Sequence, residues 1–527
     1  MARGVSLLFS LLMLASLAAG AQPAATPPAQ EPAPVAPTAP APPAIPGATI
    51  MQFVQFGDVP VFRPAGDPSQ VVLLLSGAQG VGAQEAEVGN ALAALGALVF
   101  AVDVPRYVET VEKSKEECLY PGAELRELSQ NGQARNNLSS YHTPILVGLG
   151  AGGTFAFVSL AQAPRGNFAG AVSIGFCPLL LAGQGKELCH SNGVRWDRSW
   201  AGPGLRLLPD RRLEERWIVL DTSTPPAGCP AVAAPDIVPA MRTASRIPLP
   251  AGASPEAAQG AWKAALPQAL ADVVQRFKES EASRKARLGD LADLPVVEVP
   301  AEAPEVDALA IDLTGSGGYE GLDIELGKAL AAQGVPLVAI SSLDYFWTDR
   351  DADGAARDLA RILDHYLKAW HKKKAILIGY SQGADIIPFM VNRLPEELRS
   401  RIGAIGLIGP DETAELDNGL GSYSLGRPAP PPLPVGPEIE RVKDQKLVCV
   451  YGEKERRSLC PRLDPKLGVE LMAVPSGHAF QGEASLMIAR VLKAGGLAVR
   501  AVAPKRDDEE SAAPVRQPTH PQKPASR

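Results

Sequence analysis

Short apolar segments alternate with amphipathic helical patterns through the rear half of the chain. The predicted strands are Ala308–Leu313, Val335–Ile340, Ala375–Ile378, Ile405–Ile408 and Lys446–Tyr451. The predicted helices cover about Leu322–Gln333, Gly354–Trp370 and Ala384–Arg393. Strands that are apolar throughout and separated by helices indicate a parallel sheet covered on both faces. The pattern therefore predicts the α/β class.

The front half repeats this plan. Val71–Leu75 enters a glycine-rich loop, and a helical pattern leads to a second apolar strand at Leu98–Val102. A third strand, Ile145–Val147, runs into Gly148-Leu149-Gly150-Ala151-Gly152. Self-similarity of this kind indicates a duplication, so we expect two tandem domains of the same architecture.

A long helical stretch separates the two halves. Ser254 suits the N-cap position with Pro255 after it, and the stretch continues towards Arg284 before the extended segment Leu294–Pro300. We therefore expect a domain boundary near residue 300, with one domain over residues 49–299 and the other over residues 300–502.

The two ends of the chain differ from the rest in composition. Arg3 precedes the apolar run Val5–Ala19, and Ala19-Gly20-Ala21 forms a small-residue cleavage site, which together predict a signal peptide over residues 1–21. An uncleaved anchor helix is the alternative. Residues 22–48, rich in Pro and Ala, predict an extended linker, and residues 503–527 predict a mobile tail. The mature protein is expected to work outside the cytoplasm.

Charge and hydropathy exclude two classes of function. The 527 residues include 58 acidic and 51 basic side chains, a formal charge of -7, so we expect no basic surface that holds nucleic acid. No apolar run after the first 20 residues reaches transmembrane length, which excludes a polytopic membrane protein.

Six cysteines are an even number in a chain expected to be secreted, where disulfides persist. None has C-x-x-C spacing, so we expect neither a metal site nor a redox cofactor. Four lie in the front half and two in the rear half, which favours bridges within each half: Cys118, Cys177, Cys189 and Cys229, then Cys449 and Cys460. Cys449 with Cys460 is the preferred pair, and free buried thiols are the alternative.

The strongest chemical signal is the motif Gly379-Tyr380-Ser381-Gln382-Gly383, placed between a buried strand and a helix. The two glycines of G-x-S-x-G make room for a strained turn that lifts the serine hydroxyl above the sheet. An ordinary turn serine is the alternative. The context predicts that Ser381 is a nucleophile.

A serine hydroxyl needs a base and an acid to orient that base. His478 is the only histidine that follows Ser381 within the expected folded region, and the base comes last in chain order in folds with this turn. The acid should follow the strand that ends near Tyr451. Glu455 is the first choice there, with Glu453 and Asp411 as alternatives.

Backbone amides should stabilise the negative charge that develops on an attacked carbonyl. The expected donors are the N–H of Gln382 and one from Gly315 or Ser316, in the loop after Ala308–Leu313. A phosphate-binding loop is disfavoured because the loop lacks the Lys-Ser/Thr of that motif.

In the front half, the counterpart of Ser381 is Gly150, and no histidine lies between His190 and His365. We therefore expect that half to be catalytically inert.

Several motifs together resemble the VirJ/AcvB-type bacterial virulence proteins, which have an α/β-hydrolase fold. They are Leu313-Thr314-Gly315-Ser316-Gly317-Gly318-Tyr319, Asp344-Tyr345-Phe346-Trp347, Leu377–Asp385 followed by Pro388-Phe389, and Asn392-Arg393-Leu394-Pro395. The resemblance implies two tandem α/β-hydrolase-like domains, the first degenerate and the second catalytic. It also implies a periplasmic enzyme that hydrolyses lysyl-phosphatidylglycerol, with Ser381 as nucleophile and His478 as the late histidine.

The bond in that lipid is a carboxylic ester, which suits a serine nucleophile. An acidic side chain should recognise the cationic aminoacyl group, with Asp385 as first choice and Asp344 as second. For Asp385 the alternative is a structural carboxylate in the first helical turn. The expected partner is thus a membrane phospholipid headgroup. Two other readings stay open: a non-catalytic periplasmic factor that binds proteins of a secretion system, and an esterase or peptidase for soluble substrates.

Overall fold

A computed structural model describes the chain over residues 45–114, 118–180, 186–189, 193–197, 204–221, 229, 236–248, 255–348, 350–416, 431–480 and 482–501. The predicted signal peptide, nearly all of the predicted linker, the predicted tail and the proposed N-cap Ser254 lie outside these residues. At the start of the described chain, Ile45 already packs against the front core.

The front half is built on an eight-stranded sheet. Its strands are β1 Ala48–Phe53, β2 Gly57–Phe62, β3 Gln70–Leu75, β4 Ala97–Val102, β5 Ile145–Leu149, β6 Gly170–Ile174, β7 Arg216–Asp221 and β8 Ala244–Pro248. They lie in the order β1-β2-β4-β3-β5-β6-β7-β8. β1 and β2 pair antiparallel with each other and β2 pairs antiparallel with β4, whereas the remaining neighbours are parallel.

The rear half is built on a seven-stranded sheet. Its strands are β9 Val296–Val299, β10 Ala308–Leu313, β11 Leu337–Ile340, β12 Lys374–Tyr380, β13 Ile402–Ile408, β14 Leu447–Gly452 and β15 Glu470–Val474. They lie in the order β9-β11-β10-β12-β13-β14-β15, and only β9 is antiparallel to its neighbour. Because β9 belongs to this sheet, the sheet begins a few residues before the predicted boundary at residue 300.

The two sheets share one topology. If the extra edge strand β1 is set aside, β2 through β8 have the same order and the same pairing directions as β9 through β15. The α/β class is therefore confirmed, and the shared strand order supports the expected duplication. Both sheets lie within one compact unit, residues 45–527.

Helices cover both faces of each sheet. They are α1 Ala83–Ala94, α2 Val104–Lys113, α3 Pro121–Arg135, α4 Ala151–Gln162, α5 Pro255–Leu288, α6 Leu322–Ala332, α7 Ser342–Tyr345, α8 Ala352–Ala369, α9 Gln382–Val391, α10 Glu396–Arg399, α11 Gly436–Arg441 and α12 Ala484–Ala494. Two apolar clusters lie on opposite faces of the rear sheet, as expected for a parallel sheet buried on both sides.

Helix α5 connects the two cores. Trp262, Leu266 and Val273 pack into the front core, while Leu288 at the end of the helix packs into the rear core. Burial of one continuous helix in both cores explains why the halves form one compact unit. Within the described residues, no helix has the length and apolar character needed to cross a bilayer.

Local chemistry sets the observed helix starts. α8 begins at Ala352, two residues before the predicted start, because the Asp351 side chain accepts a hydrogen bond from the Gly354 amide and caps the helix. α9 begins directly after Ser381, whose carbonyl accepts from the Asp385 amide, so the turn passes into the helix without a linker.

Three disulfides cross-link the described chain, Cys118–Cys189, Cys177–Cys229 and Cys449–Cys460. Each stays within one half, and the preferred rear pair is confirmed. The bridge between Cys449 and Cys460 joins β14 to the end of the turn that carries Glu455, so it closes the segment that holds the candidate acid.

Candidate active site

Ser381 lies on a sharp turn at the carboxyl end of β12. It has φ 51° and ψ -119°, a left-handed backbone that a residue with a side chain rarely adopts. A Cβ atom on Gly383 would overlap the carbonyl oxygen of Leu313, and one on Gly379 would overlap the backbone of Gly383. Both glycines of the motif are therefore required for the turn, as predicted from G-x-S-x-G.

The imidazole of His478 contacts both predicted partners. Its Nε2 lies 2.9 Å from Ser381 Oγ, and its Nδ1 contacts Glu455 Oε1. The Glu455 side chain is only 9% exposed, and its other oxygen accepts a hydrogen bond from the Gly452 amide at 3.2 Å. The structure thus brings Ser381, His478 and Glu455 into one line of contacts.

Tyr380 and Gly409 hold the imidazole of His478 in place. The Tyr380 hydroxyl donates to the carbonyl of His478 at 3.0 Å, and the two rings lie 5.5 Å apart. A Cβ on Gly409, which has φ 62°, would lie 3.1 Å from His478 Nδ1. The imidazole therefore packs between the Tyr380 ring and the backbone of Gly409, which has no side chain.

The loop after β10 approaches Ser381 closely. A Cβ placed on Gly315 would be 3.8 Å from Ser381 Cβ and 3.0 Å from the Tyr380 ring. Gly318, with φ 83°, donates from its amide to the carbonyl of Gly315 at 3.0 Å and closes the loop on itself. We call Gly315–Gly318 the oxyanion loop below.

Two buried carboxyls lie behind the oxyanion loop. Asp312 in β10 is fully buried and Asp323 in α6 is 2% exposed. Burial raises the pKa of Asp312 to about 7. Burial, followed by the charge of Asp312, raises the pKa of Asp323 well above its ordinary value, while a hydrogen bond from the Gly315 backbone acts in the opposite direction. The Gly315 backbone is therefore engaged with Asp323.

An open cavity of about 660 Å³ lies over Ser381. Seven of the residues named as candidates from the sequence line it: Ser316, Ser381, Gln382, Asp385, Asp411, Glu455 and His478. Sequence reasoning missed Glu415, Arg456 and Arg457, which also line it. The two arginines directly follow Glu455 in the turn after β14, which reads Glu453-Lys454-Glu455-Arg456-Arg457. Glu415 gave no signal, because only the fold brings it here, where its carbonyl accepts from Gln382 Nε2 at 3.2 Å.

Asp385 lies in the first turn of α9 at the floor of this cavity. It is 8% exposed and accepts a hydrogen bond from the Asp411 amide at 2.7 Å. Burial raises its pKa to about 8, so near neutral pH the carboxyl of the unliganded protein is mostly protonated. A cationic group beside it would favour the charged form.

The remaining candidates do not take the roles expected of them, although Asp411 lines the cavity. Asp344 does not line the cavity: its carboxylate accepts from the Ser341 hydroxyl at 2.6 Å, on the side of the oxyanion loop that faces the front half. Asp411, an alternative for the acid, forms a 2.9 Å ion pair with Arg457 instead of contacting His478. Glu453, the other alternative, is not among the residues that line the cavity.

The front sheet contains the same turn without its nucleophile. Gly150 has φ 52° and ψ -111°, nearly the values of Ser381, and lies between β5 and α4. A Cβ on Gly148 would overlap Gly152, and one on Gly152 would overlap the carbonyl of Leu75. The counterpart of Ser381 is therefore Gly150, as the sequence predicted.

The rear half has the fold and the site arrangement of the α/β-hydrolase class. A serine on a strand-to-helix turn, a carboxylate and a late histidine follow one another in that order at the carboxyl ends of parallel strands. Residues 307–497 match the family described as "Bacterial virulence protein (VirJ)". This match confirms the resemblance seen in the motifs of the rear half.

Other similarities are weaker. The chain has no significant match among curated protein sequences. Among solved structures it is similar to Est1E from Butyrivibrio proteoclasticus, with 13% identity and a TM-score of 0.29 over 38% of this chain and 91% of that one. It is also similar to a lipase-esterase related protein from Clostridium acetobutylicum, with 13% identity and a TM-score of 0.30 over 38% and 98% of the two chains. Values this low carry no argument about activity.

Proposed function

We propose that this protein is a periplasmic serine hydrolase that cleaves the aminoacyl ester of lysyl-phosphatidylglycerol or a related aminoacyl-phosphatidylglycerol. The observation that carries the proposal is the 2.9 Å contact between Ser381 Oγ and His478 Nε2, with Glu455 at the other ring nitrogen. The substrate class follows from the VirJ-type resemblance. The chemistry of the cavity supports it.

In the first step, Ser381 Oγ attacks the ester carbonyl carbon while His478 Nε2 takes the hydroxyl proton. Glu455 holds the ring so that Nε2 faces the serine and stabilises the imidazolium that forms. Collapse of the tetrahedral intermediate breaks the ester C–O bond. His478 returns its proton to the departing glycerol oxygen, which gives phosphatidylglycerol and an aminoacyl ester on Ser381.

In the second step, water attacks the aminoacyl ester, with His478 again as base. The free amino acid leaves and the Ser381 hydroxyl is restored. In both steps the amides of Gln382 and of the oxyanion loop are the proposed donors to the oxyanion. Of the two predicted donors in that loop we favour Ser316, because it lines the cavity while the Gly315 backbone is engaged with Asp323.

The charges around the cavity suit a ligand with charges of both signs. Asp385 and Glu415 could receive the ammonium groups of a lysyl ester, and Arg456 could receive the phosphodiester of the headgroup.

Three disulfides among the described cysteines suit an oxidising compartment such as the periplasm, where a signal peptide would deliver the chain.

Lipid extraction from cells tests the substrate. Cells that lack the protein, and cells that carry only Ser381→Ala, should accumulate aminoacylated phosphatidylglycerol, and the wild-type protein should remove it. A fluorophosphonate probe should label the wild-type protein at Ser381 and leave Ser381→Ala unlabelled. Labelling without lipid accumulation would remove the substrate claim and leave an esterase or peptidase for soluble substrates. Absence of labelling would favour the non-catalytic binding factor.

A further inference from the structure

A buried arginine from the front half reaches the rear half beside the active site. Arg126 lies in α3, and its side chain is only 5% exposed. Its Nη1 lies 3.4 Å from Oε2 of Glu320, a residue 194 positions later that follows the oxyanion loop. A buried guanidinium is costly unless it is paired, so this contact is a specific feature of the junction.

The guanidinium packs directly against the oxyanion loop. A Cβ atom on Gly318 would lie 2.7 Å from Arg126 Nη2 and 2.8 Å from the Ser341 hydroxyl oxygen. The backbone of Gly318 is therefore confined between a side chain of the front half and one of the rear half. On its other side, the loop meets the Tyr380 ring at Gly315. These contacts leave little room for the loop to move.

Acidic groups hold the arginine at this place. Burial lowers the pKa of Arg126, but Glu320, Tyr141 and Asp344 act against it, and the net direction is upward. Asp344 accepts from the Ser341 hydroxyl that also contacts Gly318. Asp344, which does not line the cavity, therefore belongs to the same cluster that surrounds the outer side of the loop.

We propose that Arg126 is a positioning residue for the oxyanion loop, so that the catalytically inert front half sets the geometry of the rear active site. This inference rests on the proposed serine hydrolase activity. The hydrogen bond from the Gly318 amide to the Gly315 carbonyl transmits the constraint to Ser316, which lies between them and lines the cavity. A misplacement of about 1 Å in a catalytic group can cost on the order of 100-fold in rate.

A second contact across the junction serves as a control, because Trp347→Phe removes its hydrogen bond but keeps an aromatic ring beside Tyr141, which itself lies next to Arg126. Trp347 donates from Nε1 to the carbonyl of Leu138 at 3.4 Å, and its ring lies 5.2 Å from the Tyr141 ring. A further control is Arg135, on the same helix as Arg126, which donates to the Gln52 carbonyl within the front half. Substitutions at Trp347 and Arg135 test general effects on the junction and on α3.

The experiment compares Arg126→Met, Arg126→Lys, Arg135→Met and Trp347→Phe in the full chain. We expect Arg126→Met to lower kcat for lysyl-phosphatidylglycerol by about 10- to 100-fold with little change in KM, because the loop acts on the transition state. Arg126→Lys should recover part of the loss. Hydrogen exchange of the amides in residues 315–318 should accelerate in Arg126→Met, while both controls should match wild type.

Two results would overturn the inference. One is an Arg126→Met protein with wild-type kcat and wild-type exchange in the loop. The other is a loss of kcat that the Trp347→Phe or Arg135→Met control reproduces, since the effect would then be general. Failure of the proposed function is distinguishable, because the wild-type protein would hydrolyse no ester and take no fluorophosphonate label. The exchange comparison would still decide whether Arg126 positions the loop.

Discussion

Gly150 and Ser381 occupy equivalent positions in the two sheets with almost the same backbone angles, φ 52° and ψ -111° against φ 51° and ψ -119°. Ser381 follows the central strand of its seven-stranded sheet, Gly150 follows one of the two central strands of its eight-stranded sheet, and each precedes a helix. The strained turn is therefore retained in the front half although nothing there requires an exposed nucleophile. Its glycines are fixed by close backbone contacts, which explains why the turn persists without the chemistry.

Restoring the hydroxyl in the front half should not restore a site. In a Ser381→Ala background, Gly150→Ser should give a folded protein that a fluorophosphonate probe leaves unlabelled. No histidine lies between His190 and His365, so no base can follow β8 as His478 follows β15. Mass spectrometry of the labelled peptides measures this. Labelling at position 150 would show that a base exists there after all.

The identity of the acid can be tested by two neighbouring substitutions. Glu455→Gln keeps the acceptor for the Gly452 amide but removes the charge next to His478, so kcat should fall by about 10³- to 10⁴-fold with a smaller effect on KM. Glu453→Gln is the matched control and should stay within about 2-fold of wild type, since an exposed charge contributes little. A larger loss in Glu453→Gln than in Glu455→Gln would reverse the assignment.

Asp385 should influence substrate choice rather than the chemical step. Asp385→Asn can still accept from the Asp411 amide but cannot form the charged pair with an ammonium group. Because a hydrogen bond to a charged group contributes about 1.5–3 kcal/mol, hydrolysis of lysyl relative to alanyl lipid should fall roughly 10- to 100-fold. In the wild type, this preference should increase as pH rises towards 8, because the carboxylate form becomes more populated. An unchanged ratio in Asp385→Asn would leave Asp385 a structural residue.

Local sequence was sufficient where one segment determines the geometry. A strand, G-x-S-x-G and a helix are contiguous, so Ser381 could be predicted, and chain order then indicated His478. The turn after β14 indicated Glu455 because the carboxyl ends of parallel strands meet at one edge of the sheet. The strands that the sequence predicted, β3–β5 in the front half and β10–β14 in the rear half, are continuous apolar runs.

Contacts between distant segments could not be predicted in this way. Arg126 reaches the oxyanion loop only because the two halves dock. Its partner Glu320 lies 194 positions later in the chain, so no local sequence pattern predicts the contact. Asp344 was expected near the cavity as the second choice for the acidic side chain that recognises a cationic aminoacyl group. The structure places it on the outer side of the loop, where the front half provides Arg126 as its neighbour.

The buried pair Asp312 and Asp323 should make stability depend on pH. The pKa of Asp312 is raised by burial from an ordinary value of 3.8 to about 7, so between these values the folded state binds more protons than the unfolded state. Stability from this group is therefore fully present below about pH 4 and is lost as pH rises towards about 7, with a slope of at most about 1.4 kcal/mol per pH unit. Charges that face the pair come from Glu320, while Tyr319 and Tyr380 lie close to it.

Asp312→Asn removes this proton, so its free energy of unfolding should fall less steeply with pH than that of the wild type. The measurement is denaturant unfolding at several values between pH 4 and pH 8, with Asp67→Asn as control. Asp67 is exposed, and its variant should follow the wild-type curve. Parallel curves for wild type and Asp312→Asn would mean that Asp312 binds the same number of protons in the folded and unfolded states. The carboxyl behind the oxyanion loop would then be ionised throughout, and its negative charge would oppose the oxyanion that the loop is proposed to stabilise.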